Sequence, residues 1–170
     1  MKKVILIDGN NILFRSYFAT AYKGTILRNS KGFPTNALYG FINMINKIIK
    51  EENPSYIMVA FDKGKTFRHE KYKDYKAGRD ATPEDLKLQF PAAKRLCVAL
   101  GIKYFEIDNY EADDIIGTFA KEVDQNDDFI ATIVSSDKLG VFVGRLTTWL
   151  VINGTCINPP HIDGYFLAIV

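Results

Sequence analysis

The chain has 170 residues, of which 47% are hydrophobic and 25% charged, and its formal net charge is +2. These values are typical of one soluble globular domain. Its longest apolar run is far shorter than the roughly 20 residues that cross a bilayer, so we expect no membrane span and no membrane partner. The two cysteines, Cys97 and Cys156, are far apart and no secretory leader is evident, which predicts reduced thiols in a cytoplasmic protein.

The first strand is predicted at the amino end. The sequence "KKVILIDGNN" is a short apolar run followed by Asp, Gly and Asn, a pattern typical of a buried parallel strand that ends in a loop. "SYIMVAFDKG" repeats this pattern, and "FIATIVSSDK" repeats it again after an acidic turn. Each predicted strand therefore leads into an acid, namely Asp8, Asp62 and Asp137.

Helical patterns separate these strands. In "TNALYGFINMINKIIKEEN" apolar residues recur at steps of three and four, which predicts a helix that begins near Thr35. "TPEDLKLQFPAAKRLCVALG" predicts a helix with Thr82 as its N-cap and Pro83 at its first position. This helix should end at Gly101 and be kinked or divided at Pro91. A short strand, "IKYFEI", then precedes a helix over "NYEADDIIGTFAKEV".

Alternating strands and helices are typical of βαβ units with right-handed crossovers. We therefore expect an α/β protein with three layers, α/β/α, in which helices cover both faces of a mainly parallel, Rossmann-like central sheet.

Such a sheet would gather acids along one edge. Residues just beyond the carboxyl ends of parallel strands share an edge, where ligands of open α/β sheets bind. The last predicted helix also starts there, with Glu111, Asp113 and Asp114 in its first positions. A helix start stabilises each acid by roughly 0.3 to 1 kcal/mol, whereas two unit charges about 4 Å apart repel by about 4 kcal/mol at an effective dielectric near 20.

Crowded carboxylates need protons or a multivalent cation. A ligand set of oxygens alone suits Mg²⁺ or Mn²⁺ better than zinc. First-turn acids can also serve only as helix caps, and a single Asp after a strand can be an ordinary turn residue. The joint pattern, with acids at three strand ends and one helix start, favours a metal site.

A basic stretch follows Asp62. Residues 63–80 carry seven Lys or Arg against three Asp or Glu, with tyrosines interleaved, whereas 106–114 carries five acids and no base. Lysine and arginine attract phosphate and aromatic rings stack on bases, so the stretch indicates a nucleic-acid contact, with a solvated charged loop as the alternative. Phosphate-binding charge beside a divalent-metal cluster favours two-metal phosphodiester hydrolysis and therefore a nuclease.

Several long motifs occur in the order of a known family. "LIDGNNILFRSYFA", "PTNALYGFINMINKIIKEENPSYIMVAFD", "TFRHEKYKDYKAGRDATPEDLKLQFP", "LGIKYFEIDNYEADDIIGTFA" and "IVSSD" together closely resemble the 5′-nuclease domain of bacterial DNA polymerase I and the related flap endonucleases. The resemblance implies a PIN-like fold that binds two divalent ions and cuts 5′-flap or 5′-ended DNA in replication and repair. A DNA polymerase is a further implied partner, acting in trans.

The resemblance also implies roles for individual residues. Metal-site acids of the family fall on Asp8, Asp62, Glu111, Asp113, Asp114 and Asp137. Lys76 and Arg79 match catalytic basic residues that contact the scissile phosphate. DNA contacts are implied at Arg15, Arg68, Lys71, Lys73 and Tyr75.

The chain departs from the family after Asp137. Leu139 stands where the family motif has a second Asp, and the glycine-rich helix-turn-helix that binds duplex DNA is not recognisable downstream. We therefore expect a nuclease domain over 1–138 and a tail over 139–170, with one weakened metal position and a reduced hold on duplex DNA.

Three functions remain open at this point. The first is a metal-dependent 5′ nuclease, and the second is a non-catalytic DNA-binding remnant of the same fold. The third, phosphate transfer through a nucleophilic Asp8, is disfavoured because the adjoining loop offers Gly9, Asn10 and Asn11 in place of partner acids.

Overall fold

The computed structural model describes residues 1–21, 25–78 and 80–135, together with the backbone of 147–152 and 155–157. The elements in chain order are β1 (Lys2–Asp8), α1 (Gly9–Thr20), α2 (Asn36–Glu52), β2 (Tyr56–Ala60), α3 (Phe67–Lys71), α4 (Glu84–Lys87), α5 (Gln89–Ala99), β3 (Lys103–Phe105), α6 (Ala112–Asp124), β4 (Phe129–Ser135), β5 (Thr147–Ile152) and β6 (Thr155–Ile157).

The strands form one sheet in the order β3-β2-β1-β4-β5-β6. The pairings among β1 to β5 are parallel, and β6 runs antiparallel to β5. Helices pack on both faces of the sheet, which confirms the predicted three-layer α/β arrangement with a mainly parallel sheet.

Two apolar cores lie on opposite faces of the sheet because successive strand residues point to opposite sides. On one face Ile5 and Ile7 of β1 pack with α1, α2 and α5 around the fully buried Phe41. On the other face Leu6 of β1 packs with α6 around Ile116. Among the described residues, α6 therefore covers one side of the central strands, while α1, α2, α4 and α5 contribute to the core on the other.

The start of α2 is capped from a distant part of the chain. Thr35 occupies the N-cap position as predicted, but its side chain makes no capping hydrogen bond. The fully buried Gln89 supplies it instead, since its Oε1 accepts the N–H groups of Ala37 at 2.9 Å and Leu38 at 3.1 Å. Nε2 of Gln89 donates to Asn36 Oδ1 at 2.9 Å, which ties α5 to α2.

The helix predicted from Thr82 begins one residue later than expected, because Pro83 is the N-cap of α4. The division predicted at Pro91 lies instead at Leu88, between α4 and α5, and Pro91 falls in the first turn of α5. A proline is tolerated there because first-turn N–H groups have no partner within the helix. The stretch ends as predicted near Gly101, which adopts the left-handed φ of 70°.

Two further sequence predictions can be placed on this fold. In the described part of the chain, no helix combines the length and apolar character needed to span a membrane. The sheet continues through β5 and β6, beyond the proposed domain limit at residue 138. That limit stays a prediction.

Candidate active site

Asp8 lies where the topology of the sheet creates a crevice. Strand β1 lies between β2 and β4. The chain continues from β1 to β2 and β3 on one side and then crosses to β4 on the other side of β1. Ligands of open α/β folds bind at such a switch point, outside the carboxyl ends of the strands. Asp8 ends β1 and is only 6% exposed; its Oδ1 caps α1 by accepting the Asn11 N–H at 2.9 Å. Across the crevice, Ser135 Oγ at the end of β4 donates to Asp8 Oδ2 at 3.4 Å.

Asp62 joins this crevice to the start of α6. Asp62 Oδ1 accepts the backbone N–H of Ala112 at 2.7 Å, at the positive end of the α6 dipole. The backbone N–H of Asp62 donates to Asn10 Oδ1 at 3.1 Å. The loops after β1 and β2 are thus connected to each other and to α6.

Glu111 is the N-cap residue of α6 and is buried, with 6% exposure. Lys76 Nζ donates to its Oε1 at 2.7 Å, and the Tyr75 hydroxyl donates to its Oε2 at 3.0 Å. Burial of a carboxylate is costly unless the charge is paired, and these two donors supply that pairing.

Asp114 is held by a two-pronged ion pair. Arg68 Nη1 donates to Asp114 Oδ2 at 2.6 Å, and Arg68 Nη2 donates to Oδ1 at 2.7 Å. Hydrogen bonding to Arg68 lowers the pKa of Asp114, and the same pair raises the pKa of Arg68. Asp114 Oδ2 also accepts the backbone N–H of Glu111 at 3.0 Å, so this acid caps the helix as well.

One part of the basic stretch is exposed to solvent, and another part folds back onto the acids at the start of α6. Lys71 and Lys73 are exposed, whereas Tyr75 and Lys76 turn inward to Glu111. Burial raises the pKa of Tyr75, which keeps its hydroxyl protonated as a donor. Lys76 adopts a left-handed φ of 59°, a conformation that a non-glycine residue holds only when its contacts fix it.

The structure therefore brings most of the predicted acids to one edge of the sheet. Asp8 ends β1, Asp62 bonds the α6 backbone next to Glu111, and Asp114 accepts the Glu111 N–H. Asp113 lies exposed in the same first turn of α6. Asp137 and Arg79 lie outside the described residues. Arg15 is half-buried on α1. Within the described ranges no three carboxylate, histidine or cysteine side chains stand in a metal-ligating group.

Three residues that shape the site were not predicted from the sequence. Asn10 orients the backbone at Asp62, and Thr66 and His69 cap α3, where the His69 Nδ1 accepts the Thr66 N–H at 3.1 Å. The His69 ring also packs edge-on against Tyr75, with 5.2 Å between ring centroids. The polar pair in "DGNN" and the cap-like spacing in "TFRH" are signals that could have identified them.

The fold and site define a Rossmann-like α/β domain with an acidic crevice at the carboxyl ends of its strands and a basic segment fastened over it. The chain belongs to the family described as 5′-3′ exonuclease, N-terminal resolvase-like domain, which matches residues 3–144.

Sequence relatives agree with this family. The chain is 49% identical over 137 residues to DNA polymerase I of Geobacillus stearothermophilus and 45% identical over 138 residues to DNA polymerase I of Bacillus subtilis. Each match covers 80 to 81% of this chain and 15% of the relative. The chain thus spans about one seventh of the length of these polymerases, with matches confined to 15% of each.

Solved structures share the fold at lower identity. The bacteriophage T5 flap endonuclease, in a complex with DNA and metal ions, aligns with a TM-score of 0.66 and 22% identity over 92% of this chain and 58% of its own. The T5 5′-exonuclease with bound divalent metal ions (zinc) aligns with a TM-score of 0.64 and 21% identity over the same shares.

Proposed function

We propose that this chain is a metal-dependent 5′-3′ exonuclease and flap endonuclease that hydrolyses DNA phosphodiester bonds. The observation that carries the proposal is the position of three acids at one edge of the sheet: Asp8 at the end of β1, Asp62 after β2, and Glu111 at the start of α6, where Lys76 of the basic segment contacts it. Membership of the 5′-3′ exonuclease family and the metal- and DNA-bound T5 neighbours support it.

The residues at the crevice suit a hard divalent cation in their chemistry, because the gathered side chains offer carboxylate oxygens. We assign Asp8, Asp62, Glu111, Asp113 and Asp137 to binding Mg²⁺ or Mn²⁺. A bound divalent ion would lower the pKa of a water molecule and neutralise charge on phosphate oxygens.

The basic segment supplies the groups that meet DNA. Lys76 carries its charge at the rim of the acids, and with Arg79 it would hold the scissile phosphate in place. The centroid of the Tyr75 ring lies 5.3 Å from Lys76 Nζ, and this ring would stack on a base. The exposed Lys71 and Lys73, together with Arg15, would contact the DNA backbone.

The wider assignment follows from the length of the relatives. In DNA polymerase I the matching region is 15% of the protein, so we propose that a polymerase cooperates with this domain on DNA carrying a 5′ flap or 5′ end. We further propose that residues 1–138 form the nuclease domain and that 139–170 form a diverged tail.

A cleavage assay tests this function. The purified chain is incubated with 5′-flap, nicked and single-stranded DNA across Mg²⁺, Mn²⁺ and Ca²⁺, beside an Asp8→Ala variant. We expect cleavage of the flap substrate in Mg²⁺ or Mn²⁺ and none in the variant. Equal cleavage by Asp8→Ala would show that another nuclease is the source, and absence of cleavage under every metal would contradict the proposal.

Leu139, which stands where the family motif has a second Asp, favours a second candidate, a DNA-binding module that does not cleave DNA. This candidate predicts salt-dependent DNA binding without cleavage. The substitution Leu139→Asp separates the two, because a large gain in cleavage would show that the missing acid limits catalysis. A chain that binds DNA but stays inactive with Leu139→Asp would support the binding module.

A further inference from the structure

Arg68 and Asp114 meet in a geometry unlike that of a surface ion pair. Both terminal nitrogens of the guanidinium, Nη1 and Nη2, contact the carboxylate, at 2.6 and 2.7 Å, and the two side chains are 19% and 23% exposed. The Arg68 guanidinium also lies 4.5 Å from the centroid of the Phe67 ring. Such a fork is rigid and specific, and arginine is suited to it where lysine is not.

The backbone around the ion pair is fastened as well. Thr66 forms an isolated parallel bridge with Asn109, and the Phe67 N–H donates to the Asn109 carbonyl at 3.1 Å. The Phe67 and Tyr110 rings pack edge to face with 6.0 Å between centroids. These contacts and the ion pair join the start of the basic segment to the residues that lead into α6.

The ion pair sets Asp114 apart from Glu111, because a cation contacts both oxygens of Asp114 but only Oε1 of Glu111. Both oxygens of Asp114 accept from Arg68, and Oδ2 accepts the Glu111 N–H in addition. Arg68 faces the protein, whereas Lys71 and Lys73, a few residues along the same segment, face solvent. Arg68 is therefore placed to hold the segment, whereas Lys71 and Lys73 are placed to contact a phosphate backbone.

We propose, on the basis of the nuclease function above, that Arg68 and Asp114 are positioning residues and contact neither metal nor DNA. Their ion pair fixes the segment 66–76 against α6, so that Tyr75 and Lys76 arrive at Glu111. Loss of the pair leaves the acids and the exposed lysines in place but misplaces Lys76.

DNA binding and turnover distinguish this role from a phosphate contact. Arg68→Met is compared with Lys71→Met, which removes an exposed charge from the same segment, and with Lys121→Met, which removes an exposed charge at the far end of α6. We expect Lys71→Met to reduce the log-log salt slope of DNA binding by about one, while Arg68→Met leaves the slope near that of Lys121→Met. We expect Arg68→Met to lower kcat by about tenfold to a hundredfold with a smaller change in KM, because Lys76 is misplaced.

A slope for Arg68→Met as shallow as that of Lys71→Met would overturn the proposal. If Arg68→Met does not fold, Arg68→Lys provides the same test, since it keeps the charge but loses the fork. Under the proposal Arg68→Lys still lowers kcat, whereas a simple phosphate contact would be largely restored.

Metal binding tests the role of Asp114 without any cleavage. Mn²⁺ binding to the protein alone is measured by electron paramagnetic resonance for Asp114→Asn, with Asp62→Asn as the comparison. We expect Asp62→Asn to weaken binding by roughly tenfold or more, and Asp114→Asn to stay close to the parent protein. A loss in Asp114→Asn equal to that in Asp62→Asn would identify a metal ligand and overturn the proposal.

A double-mutant cycle and hydrogen exchange complete the design. Arg68→Met combined with Asp114→Asn should lower kcat no further than either change alone, because both break one ion pair. If the parent chain cleaves no DNA, the proposed function fails, but hydrogen exchange still tests whether the Arg68–Asp114 ion pair holds the segment against α6. The proposed positioning role predicts that Arg68→Met speeds amide exchange over 66–78 and leaves exchange in α5 as in the parent. The same exchange rates over 66–78 in variant and parent would refute the proposed role.

Discussion

The substitution Gly9→Ala tests the tight turn between β1 and α1, which positions the Asp8 side chain. Gly9 is the first residue of α1, directly after Asp8. A Cβ at this position would lie 2.5 Å from Cε1 and 2.7 Å from Cζ of the Phe61 ring, and 2.7 Å from Cγ1 of Val59. Both side chains are fully buried, so neither can move away without disturbing the core.

The expected cost combines two opposing effects. Crowding a packed core costs about 1 to 3 kcal/mol, and replacing glycine by alanine restores about 0.4 to 1 kcal/mol through the unfolded chain. We therefore expect Gly9→Ala to lower the free energy of unfolding by about 1 to 2 kcal/mol. The start of α1 would have to shift, so the carboxylate of Asp8 would move and cleavage of flap DNA should fall.

Gly117 in α6 offers a matched control for the same change. A Cβ there meets no heavy atom within 4 Å in the described structure, and helix propensity favours alanine by about 0.5 to 1 kcal/mol. Urea denaturation should therefore show opposite signs, with Gly9→Ala less stable and Gly117→Ala more stable than the parent. Equal changes in the free energy of unfolding for the two variants, or normal cleavage by Gly9→Ala, would refute this account of the turn between β1 and α1.

Three other predictions concern the buried polar groups. Gln89→Ala removes the cap of α2 and leaves buried amides unpaired, so urea denaturation should show a loss of about 3 to 5 kcal/mol, with a small effect from the exposed Gln125→Ala. Burial raises the pKa of Cys97 to about 11, so its thiol contributes stability that is complete below about pH 8 and is lost as the pH rises through 11. Cys97→Ala should flatten that alkaline loss in denaturation curves; an unchanged slope would count against it. Lys76→Met should lower single-turnover cleavage by about tenfold or more and leave Glu111 without its charged partner, whereas an unaltered rate would exclude Lys76 from the reaction.

Much of the fold could be predicted from the sequence because its signals are local. Apolar runs that end in polar turns identify buried strands, and the spacing in α2 and α6 identifies helices with one apolar face. The family motifs then predicted which acids would lie at the sheet edge. The capping of α2 by Gln89 could not be predicted, because the donor and acceptor groups are 52 residues apart in the chain.

The pairing within the site was also beyond the sequence. Arg68 looked like one of several phosphate-binding cations, and Asp114 like one of several metal ligands. Only the folded chain shows that the two bind each other across 46 residues. The simpler interpretation of first-turn acids, as helix caps, describes the contact of Asp114 with the Glu111 N–H. The bond from the Ala112 N–H to Asp62, by contrast, forms only in the tertiary fold.

Binding of Mn²⁺ to the full chain tests most directly whether the acids at the sheet edge act together. The titration compares the parent with Asp8→Asn, at the end of β1, and with Glu122→Gln, an exposed acid near the far end of α6. The account predicts that Asp8→Asn weakens binding by roughly tenfold or more while Glu122→Gln leaves it unchanged. The same affinity in all three proteins, or no binding by the parent, would contradict the metal site and with it the nuclease function.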